Sequence, residues 1–333
     1  MKRILHAIRV SRAFHALLAL TVLVLLCAMT SADFRKLSNF ATILRQASVL
    51  LVLSSGLTAV LLLGEIDLSV GATAALAGCV CAWLLKFDVS TGAVIAVGLL
   101  IGAAVGAING VLVSIVRLPS FVASYAVNWI IKGLAVVIMN GQIIFNLPTR
   151  FTFFGTGYLF GKIPMIVVSA LTVTAFCYIL YQKTVPGRYL YTCGASLEAA
   201  RYSGIPVIRT QISAFVMSGM MAGLGGLLMT ARMNAAEASM ADSYGLSTIA
   251  VVVIGGTSML GGEGGIVGTL IGAILLTVIN NVLNLYGFSS DVQPIISGVL
   301  ILVIVLTDSI FQKRREQSGS KHNASEHQPV CGR

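Results

Sequence analysis

The sequence predicts an all-α fold: a polytopic transmembrane helical bundle of about ten membrane segments, some of them short or re-entrant. Three observations carry that prediction. The chain has 333 residues, of which 57% are hydrophobic and only 10% charged, against about 25% charged in an ordinary soluble domain. Apolar runs recur from end to end, most of them near the roughly 20 residues a helix needs to cross the hydrocarbon. Lys and Arg gather at the ends and in particular loops, which is the distribution positive-inside topology produces. That distribution accounts for the net charge of +10 without nucleic acid as a partner.

The elements follow in order. Lys2, Arg3, Arg9 and Arg12 make a basic arm over 1–13, and the first apolar run occupies 14–31. Arm and run together mimic a secretory leader, but membrane-grade sequence resumes almost at once, so an uncleaved first span is expected. Further spans are expected at 46–64, 67–85, 92–116, 120–139, 164–182, 211–230, 247–261, 266–286 and 293–311. The run at 247–261 is short and ends in glycine, so it is the candidate re-entrant segment. Residues 14–311 thus form one transmembrane domain, and the polar tail 312–333 is expected to be disordered. With ten spans the basic arm, Arg117, the group Lys183, Arg188, Arg201 and Arg209, and the tail's Lys313, Arg314, Arg315 and Lys321 fall on one side. That side is expected to be cytoplasmic and to hold both termini. Arg35, Lys36, Arg45, Arg150 and Lys162 fall on the other side, which a statistical bias permits.

Glycine placement is informative. Gly98, Gly102, Gly106 and Gly110 recur every fourth residue and make one smooth helical stripe; Gly264, Gly268 and Gly272 repeat the pattern, and Gly219 and Gly223 shorten it. Such stripes let a neighbouring backbone approach closely. They serve either as static packing or as sliding seams in a protein that changes conformation.

Several chemistries find no residues. Cys27, Cys79, Cys81 and Cys177 lie within apolar runs, where cysteine acts as a small hydrophobe. With Cys193 and Cys331 they give no CxxC and no metal spacing. The stretch 155–162, GTGYLFGK, has the wrong spacing for a Walker A loop, and Ile163 stands where Ser or Thr would bind magnesium. The four histidines, His6, His15, His322 and His327, all lie near the termini. Neither GxSxG nor HExxH occurs. An enzyme is not expected, and the energy for any work comes from another chain.

Three runs stand out. Residues 64–71, GEIDLSVG, put two carboxylates between apolar stretches, a costly placement at bilayer depth. Here Asp67 or Ser69 either caps the following helix at a membrane edge or meets a solute directly. Residues 184–211 are long and basic. Within them Ser196 to Ser203 reads as a short helix, with Ser196 as N-cap, Gly204 as terminator and Pro206 blocking continuation. It is either an amphipathic connector or a docking element for a soluble partner. Residues 251–272 break an apolar run at Gly255-Gly256 and again at Gly261-Gly262, around Glu263. The break is either a tight turn or a discontinuous helix lining a cavity. Candidates for a path or gate are Glu65, Asp67, Ser69, Gly71, Gly255, Gly256, Thr257 and Ser258. Lys132 and Asp308 are further ionisable residues within spans, where snorkelling lowers the cost.

Together, GEIDLSVG at 64–71, PGRYLYTCGASLEAARYSGIPV at 186–207 and IAVVVIGGTSMLGGEGGIVGTLIGA at 249–273 resemble the permease subunits of the ribose, xylose and galactose class of bacterial ABC importers. The resemblance runs from about Asn39 to Asp308. It implies a multi-pass inner-membrane permease that works as a homodimer or with a paralogue. It implies that an ATPase partner binds ATP and magnesium beneath, while this chain holds no cofactor of its own. It also implies that a periplasmic binding protein delivers the solute, docking on 140–164 and 232–245. The coupling helix of that family maps onto Gly187, Arg188, Gly194, Glu198, Ala199, Ala200, Ser203 and Gly204. Two departures bear on the solute: Glu65 replaces a second glycine, and residues 245–248, Gly-Leu-Ser-Thr, stand where an acidic residue is usual.

The rival readings are a permease for branched-chain amino acids, an ion-coupled secondary transporter, and a channel or scaffold. A secondary transporter would need a chain of carboxylates or histidines through the membrane, and only Glu65, Asp67 and Lys132 are available. Gly71 and the Leu-Ser-Val before it favour the sugar branch over the amino-acid branch.

Overall fold

In a computed structural model, described over residues 12–289 and at six isolated positions between 292 and 302, the chain forms twelve helices. These are α1 (Arg12–Thr30), α2 (Leu37–Leu62), α3 (Val70–Leu85), α4 (Thr91–Ser114), α5 (Ser120–Met139), α6 (Thr149–Thr156), α7 (Met165–Lys183), α8 (Val185–Ala195), α9 (Leu197–Tyr202), α10 (Val207–Met233), α11 (Tyr244–Ile254) and α12 (Ile266–Leu285). Four two-residue strands accompany them: β1 (Ile144–Phe145), β2 (Tyr158–Leu159), β3 (Ile163–Pro164) and β4 (Ala235–Ala236).

The architecture is the all-α membrane bundle that the composition requires, but the expectation of ten membrane segments is corrected. Among the described residues six helices, α2, α4, α5, α7, α10 and α12, are long and apolar enough to cross a membrane. The expected spans at 14–31, 67–85 and 247–261 hold shorter apolar helices: Phe14–Thr30 within α1, α3 and α11. The segment 293–311 lies almost wholly outside the described residues, as do the tail 312–333 and nearly all of the arm 1–13. The shortening has local causes. Helix α3 starts only at Val70 because the backbone before it is held extended by side chains of other helices. Helix α11 stops at Ile254 because Gly256 takes a left-handed φ of +93°, which suits glycine and turns the chain.

Helices α2 and α10 form the centre. Their most apolar windows are 83% and 67% buried, against 28% for α4, α5 and α7. Glycine makes α10 the hub. A Cβ added to Gly219 would lie 2.0 Å from the Gly102 carbonyl oxygen of α4, one on Gly226 2.0 Å from the Ala74 oxygen of α3, and one on Gly225 2.4 Å from the Leu53 side chain of α2. The predicted stripe on α4 takes its place in this contact, with Gly98, Gly102, Gly106 and Gly110 facing Leu227, Gly219, Phe215 and Ile212. The second predicted stripe is shorter than the spacing implies. Gly268 and Gly272 lie on α12 and meet the backbone of Gly255 and Val251, but Gly264 precedes the helix with φ +126° and faces Thr257.

Many buried hydroxyls find partners inside this apolar frame, although Ser54 Oγ and Thr73 Oγ1 have none. Ser55 donates to the Leu51 carbonyl at 2.7 Å, Thr58 and Thr269 pair at 2.8 Å, and the Tyr181 phenol donates to the Ser55 carbonyl at 3.0 Å. In hydrocarbon an unmet polar group costs several kcal/mol, about 2–7 by transfer, and these bonds offset that cost.

Candidate functional site

The chain leaves α2 at Leu62 and does not resume helix until Val70. Backbone in that interval has no helical partners and must find others within the protein. Ser120 and Ser124, one turn apart on α5, provide them. The Ile66 N–H donates to Ser120 Oγ at 3.1 Å and the Leu68 N–H to Ser124 Oγ at 3.1 Å. Asp67 folds back on its own loop. Its Oδ1 accepts the Ser69 N–H at 2.9 Å and the Ser69 hydroxyl at 2.7 Å, and its Oδ2 accepts the Ser218 hydroxyl at 2.9 Å. The Asn109 amide donates to Ser69 Oγ at 2.8 Å. Asp67 is only 1% exposed. A buried carboxylate is tolerable here because three donors meet it.

This arrangement corrects the expected capping. Ser69 stands at the N-cap position of α3, but neither it nor Asp67 accepts an N–H from that helix's first turn. Asp67 caps the loop instead, and helices α4, α5 and α10 clamp the loop in place. Asn109, Ser120, Ser124 and Ser218 are the residues that sequence reasoning did not find. Their signal was a polar side chain inside an apolar span, and Ser120 and Ser124 carry it at helical spacing.

The three runs singled out in the sequence meet at the end of the bundle that carries α8 and α9. The Gly262 N–H donates to the Leu62 carbonyl at 2.9 Å. A Cβ on Gly194 would lie 1.9 Å from the Leu62 oxygen and 2.5 Å from the Gly262 nitrogen; one on Gly64 would lie 2.8 Å from the Leu260 oxygen; one on Gly261, 2.7 Å from the Gly64 nitrogen. Four glycines from three segments thus press backbone on backbone, and one of them, Gly64, stands three residues before Asp67 in the same loop. Tyr191 of α8 fastens the same joint: its hydroxyl donates to the Gly264 carbonyl at 3.0 Å and accepts from Gln182 Nε2 at 2.9 Å. Burial pushes the Tyr191 phenol above the ordinary tyrosine range.

Helix α9 follows from its caps. Ser196 Oγ accepts the Ala199 N–H at 3.2 Å, and Gly204 closes the helix with φ +77°. The predicted coupling residues fall into two groups. Gly187 and Ala200 are buried and Gly194 is half-buried against the joint; Arg188, Glu198, Ala199, Ser203 and Gly204 are exposed. Tyr202, beside them, is 93% exposed, so α9 offers a free face while its inner side is anchored.

The path candidates are mostly enclosed. Asp67, Ser69, Gly71, Gly255, Thr257 and Ser258 are buried, and Glu65 and Gly256 are half-buried. Residues 255–258 begin a tight turn: Thr257 Oγ1 accepts the Gly265 N–H at 3.3 Å, and the Ser258 N–H donates to the Glu263 carbonyl at 3.0 Å. Two apolar crevices, of about 480 Å³ between α7, α8 and α10 and about 300 Å³ between α6, α7 and α10, touch none of the eight. Lys132 forms an ion pair with Asp242 at 2.6 Å; Asp308 lies outside the described residues. At the opposite end of the bundle, the segments 140–164 and 232–245 meet at their β1 and β4 residues, and the second then runs inward until Ala241 packs against Gly71. β1 pairs with β4, and the Leu147 N–H donates to Asn234 Oδ1 at 2.9 Å.

The family described as "Branched-chain amino acid transport system / permease component" matches residues 39–305. A ribose import permease protein of Haemophilus influenzae is 37% identical, over 90% of this chain and 93% of that protein. The D-allose transport system permease protein of Escherichia coli is 35% identical, over 84% and 86%. The autoinducer 2 import system permease protein of Yersinia pestis is 32% identical, over 88% and 83%. No solved structure matches.

Proposed function

Since this chain belongs to the permease components of bacterial ABC importers, on the branch that holds the ribose and allose permeases, we propose that it forms the translocation path for a monosaccharide or related polyol. It is a multi-pass inner-membrane protein and a permease component, not an ATPase. The relatives favour a sugar over a branched-chain amino acid, although the family description names the latter.

One observation carries the coupling part of this proposal: the exposed helix α9 is anchored, through Gly194, to the joint that also fixes Gly64 and Gly261. Helix α9 docks in a groove of the ATPase subunit, which binds ATP and magnesium. Arg188, Glu198, Ala199, Ser203 and Gly204 meet the ATPase, while Gly187, Gly194 and Ala200 seat the helix on the membrane domain. Closure of the ATPase pair pulls α8 and α9, the joint transmits the pull to the loop of Asp67, and the glycine seam between α4 and α10 accommodates the shift. A second permease copy or a paralogue completes the path. The α8–α9 end and both termini are cytoplasmic, and a periplasmic binding protein docks on 140–164 and 232–245.

The test is uptake into proteoliposomes that hold the permease with its ATPase, with the binding protein outside and D-ribose, D-allose or L-valine as labelled probe. Uptake of D-ribose or D-allose that requires internal ATP and the binding protein is expected. Uptake driven by an ion gradient without ATP would overturn the proposal.

A further inference from the structure

Apart from Leu134, Val136 and Ile138 near its end, the exposed surface of α5 has two sides. Val122, Ala126, Ile130, Gly133 and Val137, all exposed, share one side of the helix by periodicity and carry no polar group. Phe121, Tyr125, Asn128, Trp129 and Lys132 share a second side, displaced around the helix from the first. Along it Phe121 and Tyr125 stack at 6.1 Å with 1° between the rings, and Tyr125 meets Trp129 edge-on at 6.2 Å. Lys132 Nζ lies 5.4 Å from the Trp129 ring centroid and 2.6 Å from Asp242 Oδ2.

The ion pair decides what covers this second side. Lys132 is seven residues before the end of α5 at Met139, which places it roughly 10 Å inside the helix end at 1.5 Å per residue. The side chains of Lys132 and Asp242 are 30% and 47% exposed. Charge half open to hydrocarbon at that depth is expensive, whereas charge bordering a water-filled cavity is not. The aliphatic side of α5 suits lipid; the aromatic side suits water.

We infer that the Phe121–Tyr125–Trp129 ladder of α5 is this subunit's wall of the solute path, a series of stacking steps for the C–H face of a sugar ring, with Asn128 and the Lys132–Asp242 pair meeting its hydroxyls. This rests on the proposed sugar transport for the ligand class, though not for the wetness of the wall. A saccharide ring presents an apolar face of C–H groups and a rim of hydroxyls. Aromatic faces, with their negative quadrupole, receive the first, and flanking polar groups receive the second. Repeated weak sites one helical turn apart suit passage, since each step must also release the solute.

Two measurements test this. In proteoliposomes with the ATPase and binding protein, Trp129→Ala and Tyr125→Ala are expected to lower ATP-driven D-ribose uptake at least tenfold. Hydrolysis stimulated by the loaded binding protein should stay within twofold, Trp129→Phe should keep more than half the uptake, and Ile130→Ala should change nothing. Loss of uptake and hydrolysis together, or no loss of either, overturns the inference. Independently of any sugar, Tyr125→Cys or Trp129→Cys is expected to react with a charged, membrane-impermeant maleimide at least tenfold faster than Ile130→Cys, in the nucleotide-free or the ATP-bound state. Equal reactivity in both states overturns the water-lined wall. If the wild type moves no sugar with ATP, the transport proposal fails, and the labelling still decides whether the wall is wet.

Discussion

Substituting alanine for Gly194 sets two physical effects against each other. Gly194 lies within α8, where glycine costs about 1 kcal/mol relative to alanine in helix propensity. By propensity alone the variant would be more stable than the wild type. The structure predicts the reverse. The new Cβ would stand 1.9 Å from the Leu62 oxygen and 2.5 Å from the Gly262 nitrogen, both backbone atoms. Reaching an ordinary contact of 3.4 Å requires α8 to retreat by about 1.5 Å, and no rotamer can relieve the clash. Overpacking of this kind costs about 1–3 kcal/mol. Separating the 2.9 Å Gly262–Leu62 hydrogen bond adds about 1 kcal/mol, for a net loss near 1–3 kcal/mol after the propensity gain. The assay is thermal unfolding of the detergent-purified protein beside its ATP-driven uptake. A lower unfolding midpoint is expected, with uptake falling far more than membrane abundance. Gly133→Ala is the control: it lies within α5, an added Cβ there meets nothing within 4 Å, and no left-handed φ is lost, so stability and uptake should hold. A Gly194→Ala protein as stable and active as the wild type would refute the joint as the link between α9 and the loop of Asp67.

Two further outcomes are expected. Asp67→Ala leaves the Ser69 N–H and the Ser69 and Ser218 hydroxyls without their acceptor, at about 1–3 kcal/mol for each donor that finds no other, whereas Asp67→Asn keeps the shape and most of the bonds; the two variants should separate clearly in thermal unfolding, and equal losses would count against the clamped loop. Gly102→Ala drives a Cβ to within 2.0 Å of the Gly219 oxygen and should destabilise by about 1–3 kcal/mol, while Gly92→Ala on the same helix, with nothing within 4 Å, should not.

How much of this was legible from sequence depended on the range of the interaction. The cap at Ser196, the stop at Gly204 and the span of α5 follow from neighbours within a few residues, and the structure has them where local chemistry puts them. The same local reasoning overextended the spans at 67–85 and 247–261. Hydropathy records only that those residues are apolar, and says nothing of the Ser120 and Ser124 hydroxyls that hold the chain extended or of the Gly256 turn.

Composition and the periodicity of apolar residues by themselves determined an α-helical membrane protein, because hydrocarbon admits few other solutions for a polypeptide backbone. Motif spacing determined three runs of interest and the glycine stripes. Only the tertiary structure decided that Gly64, Gly194 and Gly261 share one joint, that Asp67 is met by donors from α10 and from its own loop, and that α5 presents a polar aromatic side distinct from its aliphatic one. Those facts rest on contacts between residues far apart in the chain, such as Ser218 and Asp67, separated by 151 positions. No pattern within a single helix encodes which distant backbone will approach its glycines.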